Sequence, residues 1–225
     1  MPSNNFINGA KASKRSRRSA RLNSEGIKRN VIVVGASAGG VVALTRLFEA
    51  LPADIPAVIG VVLHRSTSPS ELVHVLGRRS RLPVIEPSNR SIAIQGIIYL
   101  APPDHHLLFD DGDVMTQRGP KEHGTRPAVD PLFRSAAAAY ERRVVGVLLT
   151  GCGEDGVSGL IHISNERGIT LAQDPREAYM PYMPLNALRF DEIGSVYSIH
   201  ELAPALYALA TGNAIISNNG KAQSR

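Results

Sequence analysis

Ser37 sits inside Gly35-Ala36-Ser37-Ala38-Gly39, a G-x-S-x-G string that follows the apolar run Val31–Val34 directly. A serine on a sharp strand-to-helix turn has its hydroxyl raised and exposed, and the first N–H groups of the new helix point to the same spot. That arrangement suits attack on a carbonyl, because the oxyanion that forms needs donors already in place. The same letters come close to the dinucleotide-binding pattern G-x-G-x-x-G, with Ser37 in place of the middle glycine. The rest of the chain has to separate the two readings.

His64 favours the nucleophile. A dinucleotide unit wants an acid about 20 residues past its glycine turn, at the tip of the second strand. Here that tip reads Val61-Val62-Leu63-His64-Arg65, with no acid. Imidazole is the usual base for a serine hydroxyl. Taken alone, a strand-end histidine more often only caps a sheet. A third group comes from the turn Thr150-Gly151-Cys152-Gly153-Glu154-Asp155-Gly156. Asp155 can fix the tautomer of His64 by accepting from its far nitrogen, or can simply cap the helix that follows. Glu154 is an adjacent competitor, and spacing does not choose between them. Cys152 reads as a small side chain lining the turn, without a histidine nearby in sequence. His105-His106 would point to opposite faces of a strand and cannot readily chelate one ion. No C-x-x-C or H-E-x-x-H pattern is present, so neither metal nor organic cofactor is expected.

The elements that must position these groups alternate between strand and helix. Strand signals cover Val31–Val34, Ala57–Leu63, Gly96–Leu100, Val144–Leu149, Ile169–Ala172 and Val196–Ser198. Helical signals cover Val41–Ala50, Ser70–Arg79, Asp130–Arg143 (with Asp130 as its N-cap), Val157–Glu166 and Glu201–Ala210. Leu107–Phe109 and Val114–Thr116 flank Asp110-Asp111-Gly112-Asp113, which predicts a β-hairpin within residues 105–117. Unbroken Val/Ile/Leu runs mean strands covered on both faces. The expected fold class is therefore α/β, a doubly wound, mainly parallel sheet with helices on both sides. Ligands bind such sheets beyond the C-terminal strand ends, where Ser37, His64 and the Thr150–Gly156 turn all fall.

With 225 residues the chain suffices for one sizeable core. No run approaches the ~18 apolar residues of a membrane span, and the basic N-terminus lacks the apolar stretch of a secretory signal. The single cysteine permits no internal disulfide, in keeping with a reducing cytoplasm. The net charge of +5 is unevenly placed: residues 1–29 hold eight Lys/Arg and one acid, whereas the remainder holds 17 basic and 19 acidic residues. We read 1–29 as a disordered basic tail, 30–212 as the catalytic domain and 213–225 as a polar C-terminal tail. The basic tail is a solvated extension or a contact for anionic surfaces. No specific nucleic-acid partner is expected.

Several strings in order carry a resemblance: GASAGG after the first strand, the strand-end His64, YLAPPDHHLL at Tyr99–Leu108, RPAVDPLFRSAA at Arg126–Ala137, LLTGCGEDGVSGL at Leu148–Leu160 and AQDPREAYMPYMP at Ala172–Pro184. Together they resemble the catalytic domain of bacterial chemotaxis protein-glutamate methylesterases (CheB-type), over about residues 30–210. The resemblance implies a triad of Ser37 as nucleophile, His64 as base and acid, and Asp155 as orienting carboxylate. The Ala38 and Cys152 amides become the candidate oxyanion donors, and Gly39, Gly151, Arg126 and His106 the further site-lining candidates. It also implies a substrate, glutamyl γ-methyl esters on the helical cytoplasmic region of chemoreceptors, with glutamine deamidation in some members. Three departures stand out. Cys152 replaces the family's usual methionine, Leu63-His64-Arg65 stands for Gln-His-Met, and Thr125 takes the place of a histidine in G-H-R-P-S-V-D. Residues 1–29 are too few for the receiver domain that usually precedes this unit, so phosphorylation control within the chain is not expected, and any receiver would be a separate protein. The rival readings are a silent receptor-docking protein of the same fold, indifferent to Ser37→Ala, and a nucleotide-binding module.

Overall fold

The computed structural model describes residues 21–22, 26–190 and 193–216. In chain order the elements are β1 (Arg21–Leu22), β2 (Val31–Ala36), α1 (Gly40–Ala50), β3 (Val58–Leu63), α2 (Leu72–Gly77), β4 (Val84–Ile85), β5 (Arg90–Ile92), β6 (Ile98–Leu100), β7 (His106–Asp110), β8 (Asp113–Gln117), α3 (Val129–Tyr140), β9 (Val144–Leu148), α4 (Val157–Asn165), β10 (Ile169–Gln173), α5 (Tyr182–Arg189), β11 (Ser195–Tyr197), α6 (Ile199–Ala210) and β12 (Ile215–Ile216). A single turn of 3-10 helix, Glu141–Arg143, joins α3 to β9.

Seven strands form one sheet in the order β11-β10-β9-β2-β3-β6-β4, and every pairing in it is parallel. The β2, β3 and β9 runs are buried at every position, as strands covered on both faces must be. Side chains alternate between two cores. Ile32, Val34, Ile59 and Val61 pack with Leu44, Leu47 and Phe48 of α1 and with Leu202 and Leu206 of α6. Val31, Val33 and Val62 pack with Leu132, Phe133 and Ala136 of α3 and Leu160 of α4. The chain starts in the middle of the sheet at β2, builds outward through β3 on one side, then returns to lay β9 on the other. The carboxyl end of β2 is thus a topological switch point, where open α/β sheets bind ligands.

The expected hairpin is β7–β8, extended by β5 into a separate antiparallel sheet. It packs Leu107, Phe109 and Val114 into the α3 side of the core. Element existence follows the sequence closely, and several bounds move. The Ser70–Arg79 signal yields only Leu72–Gly77, and α6 begins two residues early at Ile199, where Ser198 and Glu201 form a capping box. Asp130 does not cap its own helix. The N-cap of α3 is Ala128, and the Asp130 carboxylate accepts instead from the Gly156 and Gly159 amides at the start of α4.

Short paired segments lie inside both of the stretches expected as tails. Arg21–Leu22 pairs antiparallel with Ile215–Ile216. Arg29 is buried, its guanidinium donating to the Arg167 carbonyl and its N–H to the Leu209 carbonyl. An arginine can be interred there because its guanidinium meets a carbonyl, that of Arg167 in the turn after α4. Residues 1–20 and 217–225, on which most of the tail reading rests, lie outside the described residues. No helix among the described residues is long and apolar enough to cross a membrane.

Candidate active site

Ser37 follows the last residue of β2, and His64 follows the last residue of β3. Ala36 and Leu63 are register partners in that parallel ladder. The His64 N–H donates to the Ala36 carbonyl at 3.0 Å, so the two side chains leave neighbouring strand ends one step beyond the ladder. Gly39, with φ +81, turns the chain from strand into α1. A side chain there would be strained, and its Cβ would lie 2.6 Å from the Cβ of Tyr179.

The turn after β9 closes the other side. The Ser37 N–H donates to the Thr150 carbonyl at 3.0 Å, and Thr150 Oγ1 donates to the Ala38 carbonyl at 2.9 Å while accepting from the Met180 N–H at 2.9 Å. Gln173 Oε1 accepts from the Thr150 N–H at 2.8 Å. Gly151 is tight against Ser37, because an added Cβ would stand 2.7 Å from Ser37 Cβ and run into Met183. Neither the Ala38 nor the Cys152 N–H donates to a main-chain carbonyl among the described residues.

Of the two adjacent acids, Glu154 is exposed and Asp155 is buried, its side chain 2% accessible. Asp155 Oδ2 accepts from His64 Nε2 at 2.7 Å and from the Val129 N–H at 2.7 Å; Oδ1 accepts from the Asp130 N–H at 2.9 Å. Asp155 therefore caps α3 from across the fold, while Asp130 caps α4 in return. Burial opposes ionisation of Asp155. The His64 hydrogen bond and the two amides outweigh it and hold the carboxyl below its usual range. Asp130 departs the other way: burial dominates and raises it, despite the Gly159 amide and His123.

His123 is the group the sequence reading missed. Its Nε2 lies 2.9 Å from Asp130 Oδ2 and 4.0 Å from Asp155 Oδ1. Nothing in its spacing from His64 or Asp155 marks it, since it reaches the pair through a loop. His123, Asp130 and Asp155 together offer ligand atoms within 4.8 Å of one another, the kind of cluster that could hold a cation. However, the oxygens of both carboxylates already accept hydrogen bonds, from amides of two helix N-termini and from His64 and His123, which leaves little lone-pair capacity for a metal ion.

Arg126 and His106 take other partners. The Arg126 guanidinium donates to Asp104 and to the Gly119 carbonyl. His106 is buried, with Nε2 2.8 Å from the Pro120 carbonyl and Nδ1 accepting from the Ala128 N–H. Both thereby fasten the loop that leads into α3. Arg65, beside His64, is tied to Glu86 at 2.6 Å and to Ser70 at 3.1 Å, and its buried Nε has no partner. A cavity of about 390 Å³ opens next to the serine turn, lined by Gly39, Val42, Ala43, Arg46, Tyr179 and Ile199 among others. Its lining includes none of Ser37, His64 and Asp155.

A parallel sheet with an Asp-linked histidine at its switch point belongs to the broad class of α/β hydrolytic folds, and comparison with known proteins narrows it. The family model described as CheB methylesterase matches residues 32–206, and the chain belongs to that family. A putative protein-glutamate methylesterase/protein-glutamine glutaminase from Leptospira interrogans is 32% identical over 184 residues, covering 81% of this chain and 95% of that protein. A protein of the same named activities from Anaeromyxobacter dehalogenans is 38% identical over 180 residues, covering 80% of this chain and 53% of that one. The chain thus spans nearly all of the first relative and about half of the second. The crystal structure of the Thermotoga maritima CheB methylesterase catalytic domain superposes with a TM-score of 0.75 at 29% identity, covering 80% of this chain and 98% of that one.

Proposed function

We propose that this protein hydrolyses glutamyl γ-methyl esters on the helical cytoplasmic region of chemoreceptors, in sensory adaptation in the cytoplasm, through Ser37, His64 and Asp155. The observation that carries the reading is the 2.7 Å contact between His64 Nε2 and buried Asp155, on a histidine that leaves the strand end next to Ser37. Family membership supports the hydrolytic class, and the activities named for the relatives point to the substrate class.

With Asp155 ionised, Nε2 carries the imidazole proton and Nδ1 keeps its lone pair. Nδ1 accepts the Ser37 hydroxyl proton as Oγ bonds to the ester carbonyl carbon. The carbonyl electrons move to oxygen, where the Ala38 and Cys152 amides donate. Collapse of the tetrahedral species breaks the bond to the methoxy oxygen, which leaves as methanol with the proton from Nδ1. Water then repeats the cycle on the acyl-serine, yielding glutamate and free Ser37. Replacing methoxide by amide gives glutamine deamidation with the same residues. Asp155 stays ionised throughout and stabilises the imidazolium.

Methanol release from methylated receptor fragments tests this. Wild type should release methanol, and Ser37→Ala and His64→Gln should fall at least about a thousandfold. Equal activity in all three would remove the site. Labelling of Ser37 by a fluorophosphonate without methanol release would keep the nucleophile and overturn the substrate. Absence of both would favour the silent docking protein. Saturable nucleotide binding with Ser37 unlabelled would favour the nucleotide-binding module.

A further inference from the structure

We propose that His123 is a positioning residue for this reaction: held on Asp130 behind Asp155, its imidazolium balances two buried carboxylates and sets the pH at which the serine turns on. The inference rests on the reading of Ser37, His64 and Asp155 given above.

Asp130 and Asp155 are 1% and 2% accessible, and each accepts amides at the foot of the other's helix. Two like charges buried this close cannot both persist cheaply. Every charged group facing them can be named. On one side is His64, bound to Asp155. Arg134 reaches from α3 to 4.0 Å of Asp130 Oδ2, but its guanidinium is committed to both oxygens of Glu122 at 2.7 and 2.8 Å. Glu154 points to solvent. Among the described residues, His123 is the one group in hydrogen-bond contact with Asp130 that can carry positive charge, and its side chain is 42% accessible, so it exchanges protons with solvent.

Burial pulls His123 down. The hydrogen bond to Asp130, with the charges of Asp155, Asp130 and Glu122, outweighs this and leaves it above its ordinary value. The positive form of His123 is thereby favoured by the carboxylates around it. Once its charge is removed, the Asp130–Asp155 cluster becomes more negative by one unit. A more negative cluster favours the charged form of the imidazole bound to it, and a protonated imidazole cannot take the Ser37 proton. The acid limb of activity moves to higher pH.

The residue is well suited to a clean test. His123 has φ +49, a left-handed backbone that asparagine tolerates, so His123→Asn removes the charge with little backbone cost. His123→Lys keeps a positive charge on an exposed site. The full-length protein would be labelled with a fluorophosphonate over pH 5–9, reading the second-order rate at Ser37. His123→Asn should move the acid limb up by roughly half to one pH unit, lowering the rate on that limb by roughly three- to tenfold, with much less change on the plateau. His123→Lys should bring the limb back toward wild type. Superimposable limbs for wild type and His123→Asn overturn the inference, as does an equal drop at every pH in both variants, which marks a merely structural histidine. Absence of labelling at any pH in the wild type overturns the reading of Ser37 itself, and this inference with it.

Discussion

Asp155 carries two loads at once. It bonds His64 and closes the N-terminus of α3 through the Val129 and Asp130 amides. Asp155→Asn should therefore lower ester turnover by about 10³–10⁴-fold, through loss of the correct tautomer, and should also weaken the cap by about 1–2 kcal/mol. Urea unfolding measured beside the rates would show both. The pH signs differ along the cluster. Asp155 is held below its unfolded value, so its contribution to stability is complete above about pH 4 and is lost as pH falls through its lowered folded value. His123 is raised. Its contribution is complete below about pH 6.5, and is lost as pH rises through the raised value; exposure keeps it below about 1 kcal/mol. Thermal unfolding of His123→Asn should accordingly show less loss of stability than wild type as pH rises above about 6.5.

At the scale of elements, glycines decide how closely the site can be assembled. Gly35 lets Val129, at the foot of α3, lie against β2, and Gly151 lets the β9 turn sit on Ser37. Gly151→Ala should cost about 1–3 kcal/mol by overpacking and slow Ser37 labelling disproportionately, because the added methyl group meets the nucleophile's own Cβ. Arg65 does a related job at the end of β3, where it ties the chain just past His64 to Glu86 and Ser70. Arg65→Met should cost about 1–2 kcal/mol in chemical denaturation, because Glu86 loses its partner.

The sequence revealed these elements unevenly. The buried strands β2, β3 and β9 stand out as apolar runs bounded by glycine or a polar end. The helix α5 did not, because Tyr182-Met183-Pro184-Leu185 begins beside two prolines and only its Met183, Pro184 and Ala187 are buried. Ser37 and His64 stand out as candidates through the G-x-S-x-G string and the lack of an acid at the second strand's tip, and the fold puts them on neighbouring strand ends. The choice of Asp155 over Glu154 needed the fold, since only the direction of one turn separates them. The roles of Asp130, Thr150 and His123 were not legible, because each acts on an element distant in sequence through a backbone amide, a carbonyl or a loop.

On the scale of the whole molecule, the charge and the chemistry occupy different parts of the chain. The proposed residues lie between Ser37 and Asp155, on the elements that build the two cores. Removing residues 1–20 should leave the Ser37 labelling rate within about twofold of the full chain, since long-range charge is screened beyond ~10 Å at ordinary salt. If the basic tail contacts anionic surfaces, the same truncation should abolish salt-sensitive sedimentation with anionic vesicles. A truncated protein that still sediments would place that contact on the folded body.

The reciprocal capping of α3 by Asp155 and of α4 by Asp130 bears on how descendants of such a chain can be read. A lineage that abandoned ester cleavage would still need both aspartates to hold its helices in place, whereas nothing comparable ties down the hydroxyl of Ser37. In genome surveys, then, an intact aspartate would say little about whether a homologue still works as a catalyst, and the serine would be the position to inspect first.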